Sequence, residues 1–140
     1  MKNYRPQLLF CLLVTAAAIT LACGSSTSSR MLQSVAVTPA TATAQNSQFQ
    51  FTAAGFYNMS PTKVMPLTAT WGACLQQAAT SDVTVSTTGL AQCTPSASGT
   101  YTVWAFDTNP AKPGFGTCTA ITACGGGCNR VTGTAQLTCP

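Results

Sequence analysis

The sequence predicts an all-β protein, a two-sheet sandwich of about seven short strands, and three observations carry that expectation. Apolar residues alternate with hydroxyl and amide side chains at period two in one stretch after another. Pro, Gly, Asn and Ser separate those stretches at intervals of roughly 8 to 15 residues. No segment shows the 3.6-residue period of an amphipathic helix. Composition agrees: the 140 residues include 24 Thr, which favours strands and tolerates water, and only 6% are charged, against about a quarter in an average soluble domain. A chain of this length suits one domain with one core.

Residues 1–22 read as an export signal. Lys2 and Arg5 precede an apolar run from Leu8 to Leu21, shorter than the ~20 residues that a bilayer span needs. Thr20-Leu21-Ala22-Cys23, followed by Gly24-Ser25-Ser26-Thr27-Ser28-Ser29, resembles the lipobox of bacterial lipoproteins, with Thr20 where Leu is usual. That resemblance implies that Cys23 is acylated and becomes the N-terminus, with residues 23–31 as a flexible Gly/Ser tether.

From Met31 onward the strands follow in order. Val35 and Val37 alternate inward before Pro39 interrupts, and Phe49, Phe51 and Ala53 alternate with Gln48, Gln50 and Thr52. A loop with Asn58, Ser60, Pro61 and Pro66 comes next. Leu67, Ala69 and Trp71 then share one face, Val83 and Val85 mark a short strand, and Gly89-Leu90-Ala91 opens another. In GTYTVWAF, Gly99 to Phe106, the residues Tyr101, Val103 and Ala105 form one face and Thr100, Thr102, Trp104 and Phe106 the other. Aromatics on both faces require that the second be covered or offered to a partner. Asp107 to Gly116 reads as an irregular loop, and Arg130 to Cys139 as a last strand whose register Gly133 blurs.

The order SVAVTP, FQFTAAGFY, TATWGAC, VTVSTTGLA and SGTYTVWA resembles a group 2 bacterial immunoglobulin-like domain over about Leu32 to Asp107. The resemblance implies an immunoglobulin-like sandwich for residues 32–140. Its inter-sheet core would hold Val35, Val37, Phe49, Phe51, Trp71, Val83, Val85, Leu90, Tyr101, Val103 and Ala105.

Such domains usually carry few cysteines, and this chain departs from them with Cys74, Cys93, Cys118, Cys124, Cys128 and Cys139. An even number in an exported chain reads as disulfides, and six cysteines allow about 15 pairings. Cys74 and Cys93 can pair across the loop containing Asp82. The other four would then staple a Cys-rich insert at residues 117–129 to itself and to the last strand. The alternative, a four-thiolate metal site at Cys118, Cys124, Cys128 and Cys139, lacks the paired short knuckles of zinc ribbons, so neither metal nor cofactor is expected. Gly125-Gly126-Gly127 reads as a tight turn rather than a phosphate loop, and the sequon at Asn58 as incidental.

The chain has no His, no Glu and two Asp, so general acid/base and triad chemistry lack their groups and no enzyme is expected. Beyond the signal, Arg30, Lys63, Lys112 and Arg130 face Asp82 and Asp107 without forming a basic stripe, which removes nucleic acid as a partner. Two readings follow. One is a lipid-anchored envelope protein, at the outer membrane or cell surface and secreted if Cys23 is not acylated, with a structural or adhesive role. The other is a module that binds a surface polysaccharide or protein through exposed aromatics, with Trp104, Phe106, Tyr57 and Phe115 as candidates. The competing account of Trp104 and Phe106 makes them a satellite core beneath the segment from Cys118 to Cys128, and the position of the Cys-rich insert favours it.

Overall fold

The computed structural model describes residues 29–107, 123–125 and 130–140. Cys23, Phe115, Cys118 and Cys128, with the signal, most of the tether and most of the insert, lie outside them. The described chain is all-β and forms a two-layer sandwich with the strand order of an immunoglobulin-like fold.

In the first layer β1 (Leu32–Thr38) pairs antiparallel with β4 (Thr52–Tyr57), with Val37 opposite Ala53 and Val35 opposite Gly55. The short β5 (Lys63–Val64) adds to the far edge of β4. A second trio joins β3 (Gln48–Gln50), β9 (Leu90–Cys93) and β8 (Val83–Val85). β3 and β4 are one run of chain broken only at Phe51, whose amide donates to Gly89 O at 2.9 Å. The two trios therefore form one layer with a seam in it.

The second layer is a five-stranded sheet. Its order is β2 (Thr41–Thr43), β11 (Thr132–Cys139), β10 (Gly99–Asp107), β6 (Ala69–Leu75) and β7 (Ala78–Ala79), with β2 parallel to β11. The chain changes layer at Pro39, between β1 and β2, where a residue without an amide hydrogen cannot continue a ladder.

The expected seven strands appear as eleven among the described residues because two of the longer runs are interrupted, at Pro39 and Phe51, and the two-residue β5 and β7 add short edges. Phe51, Tyr101, Val103 and Leu137 are the largest fully buried side chains among the described residues. Tyr101 also donates from its hydroxyl to Asp82 Oδ2 at 3.3 Å. Gly133 leaves the register of β10 and β11 regular, Ala105 lying opposite it. A Cβ there would stand 2.6 Å from Val35 O, so the glycine permits the close approach of the facing layer.

Four residues expected in the core are only half-buried: Phe49, Trp71, Val85 and Leu90. Leu90 has a simple cause, since Ala91 and Cys93 are the buried members of β9 and alternation turns Leu90 to the opposite face.

Two disulfides hold the described chain, Cys74–Cys124 and Cys93–Cys139. Cys74 and Cys93 thus do not pair with each other. Cys93 belongs to the inter-layer core, whereas Cys74 packs with Trp104 on the outer face of the five-stranded sheet, so that sheet separates them. The sulfurs of Cys124 and Cys139 are committed to different bridges, which rules them out as thiolates of one metal site.

Candidate functional site

Alternation along β10 sends Trp104 and Phe106 away from the inter-layer core, yet each is only 3% exposed. Their rings stack, with centroids 5.2 Å apart and planes 5° from parallel. They form a second apolar cluster with Cys74 and Cys124, against which Ala123 packs. The cover expected from the Cys118–Cys128 segment is represented among the described residues by Ala123 and Cys124, tied down through the bridge to Cys74.

Gly72 lies directly opposite Trp104 in β6, and a Cβ on it would overlap the indole. From the other side, the Arg130 guanidinium lies 5.5 Å from the Phe106 ring centre, and its Nη1 donates to Asp107 O at 2.7 Å. Trp104 Nε1 is buried without a hydrogen-bond partner among the described residues. Leaving it unpaired costs about 1–3 kcal/mol. Burial of an indole removes roughly 150–250 Å² from water, worth about 4–6 kcal/mol, so the ring stays in. These two aromatics are therefore not an exposed binding face.

Tyr57 is half-buried at one end of the sandwich. The Arg30 guanidinium lies 3.5 Å above its ring centre, and Arg30 donates to the carbonyls of Met59 and Pro61. Tyr57 in turn donates to Asp107 Oδ2 at 3.4 Å. Burial, and then the negative charge of Asp107, push the Tyr57 hydroxyl above the ordinary tyrosine value. Met31 and Asn58 exchange hydrogen bonds beside it, Met31 N to Asn58 Oδ1 at 2.7 Å and Asn58 N to Met31 O at 3.1 Å. This ring already has a partner on its face, and the residues around it fix where the N-terminal segment joins the domain.

A cleft free of that disulfide-tied cover lies elsewhere, at the seam. On one side of Phe51, Gln50 pairs with Leu90; on the other, Thr52 pairs with Thr38. Between the β8–β9 turn and the Pro66–Thr68 segment the layer parts, and Trp71 reaches the gap from β6 in the facing sheet. The result is a cleft of about 260 Å³ lined by Trp71, Pro66 and the threonines 52, 68, 87 and 88.

The walls are well held. Ser86 Oγ accepts from the amides of Thr88 and Leu90 at 3.3 and 3.0 Å. Gln50 Nε2 donates to Thr88 O and Phe51 O, both at 2.7 Å, and Leu67 N donates to Ala53 O at 2.8 Å. Gly89 has φ 86°, the left-handed region, and a Cβ on it would stand 2.9 Å from Trp71 Cζ2 and 2.5 Å from Phe51 O. Only glycine lets the indole settle against this turn.

Among the candidates named from sequence, the structure brings Trp104 and Phe106 together but buries them, and places Tyr57 in a separate polar cluster. Trp71 shares a face with Leu67 and Ala69 and is a core position by the immunoglobulin-like resemblance, but the structure leaves it half-buried at the cleft. The run of hydroxyls at Ser86, Thr87 and Thr88 was the local signal for the cleft. It had no meaning until the seam brought those residues to Trp71. No protein-family model matches the chain, and no curated protein matches it.

Proposed function

We propose that the chain is a non-enzymatic cell-envelope lipoprotein, anchored through an acyl group on Cys23, that displays one bacterial immunoglobulin-like domain in a structural or adhesive role. The observation that carries this reading is the pair of disulfides in an immunoglobulin-like sandwich. Bridges between residues 74 and 124 and between 93 and 139 suit an oxidising compartment outside the cytoplasm. The sequence supplies a matching route there, Ala22-Cys23 followed by a Gly/Ser tether. At the point where that tether meets the sandwich, Arg30 and Met31 are fastened to the Tyr57–Pro61 segment, which favours a defined exit toward an anchor.

Intact-mass measurement of protein isolated from envelopes, before and after reduction, tests the proposal. The expected result is a chain beginning at Cys23 with added acyl mass, gaining hydrogens for at least the two bridges on reduction. A full-length chain with free thiols overturns both the anchoring and the compartment.

A further inference from the structure

We propose that the seam cleft around Trp71 binds a neutral sugar unit of a polysaccharide or glycan. The proposal deepens the adhesive side of the reading above by naming its ligand class, and it holds whether or not Cys23 is acylated.

The chemistry of the lining selects the class. None of the residues that form the cleft is ionisable, so an ion bound there would shed its hydration without a countercharge, a step that is strongly unfavourable. A sugar ring presents an apolar C–H face and a rim of hydroxyls. The cleft presents the complement, one indole among four threonines. Thr88 Oγ1 is already engaged with Ser86 Oγ at 2.9 Å. The hydroxyls of Thr52, Thr68 and Thr87 have no protein partner among the described residues and remain for a ligand.

Size and rigidity point the same way. At about 260 Å³ the cleft falls just below the ~300 Å³ at which sites for drug-sized molecules begin. It takes one ring, with the rest of a chain lying outside over the exposed Thr68 and Thr87. The β8–β9 turn is fixed by the Ser86 and Gln50 hydrogen bonds, and the indole by Gly89, so the site needs little ordering on binding.

Affinity electrophoresis of the purified full chain, in gels carrying dextran, mannan, galactan or the anionic control alginate, tests the assignment. At least one neutral polysaccharide slows the protein and alginate does not. Thr87→Val weakens that binding by about fivefold, the equivalent of one hydrogen bond, and leaves the melting temperature unchanged because the hydroxyl has no partner among the described residues. Trp71→Phe weakens it further by shrinking the stacking face. In a Trp104→Phe background, the remaining Trp71 emission shifts on titration with the active polysaccharide. No retardation by any neutral polysaccharide, equal retardation by alginate, or wild-type binding by both Thr87→Val and Thr68→Val overturns the proposal. Each of these outcomes is independent of the mass that reports acylation.

Discussion

Trp71 and Trp104 occupy adjacent antiparallel strands, and each rests on a glycine from another part of the chain, Gly89 under Trp71 and Gly72 under Trp104. They end in opposite circumstances. Trp104 points out of the sandwich and is sealed; Trp71 reaches into the facing layer and is left half-open. The difference lies in what meets each ring. A disulfide draws Ala123 and Cys124 over Trp104, whereas the layer opposite Trp71 is split at Phe51. Whether a strand's aromatic is exposed therefore depends on the cover its face receives, which alternation along that strand does not specify.

The contrast is sharpest in stability. Trp104→Ala removes a buried, stacked ring and costs about 3–5 kcal/mol, while Trp71→Ala costs roughly half as much because the ring is partly in water already. Chemical unfolding of the two variants measures this, and equal losses would break the comparison. Next comes the cover itself. Removing the bridge with Cys74→Ser and Cys124→Ser costs about 2–4 kcal/mol and shifts the tryptophan emission to the red as Trp104 meets solvent. An unchanged emission maximum would show that the cover holds without its tie.

A smaller effect follows at the supporting glycine. Gly72→Ala forces the Trp104 ring to move within a closed cluster, at about 1–3 kcal/mol, and a fall in thermal midpoint reports it. The smallest effect belongs to Tyr57, the aromatic covered by Arg30 rather than by a bridge. Its raised value means that the folded state holds the proton more tightly than the unfolded one. That stabilisation is complete below about pH 10 and is lost as pH rises through the folded value. Ultraviolet titration of wild type against Tyr57→Phe should place the missing transition above the ordinary tyrosine range, with a slight loss of stability there.

Much of the fold was legible in the residues. Val35 and Val37, Phe51 and Ala53, and Tyr101, Val103 and Ala105 are buried core positions as their alternation requires. Leu90 was not, because a single leucine beside Gly89 does not reveal the phase of its strand; the buried Ala91 and Cys93 do. The candidate site was less legible. Exposure of Trp104 and Phe106 turned on a disulfide between residues 50 apart in the chain, and spacing does not choose among many pairings.

By itself the sequence determined that the chain builds strands rather than helices and that one face of GTYTVWAF is core. Those follow from periodicity and composition, which are local properties. Only the tertiary structure decided that Cys74 and Cys93 lie on opposite sides of a sheet, that Trp104 is sealed, and that a break at Phe51 opens a threonine-lined cleft at Trp71. Each depends on which distant segments meet, and a pattern read along one strand carries no record of what packs across it.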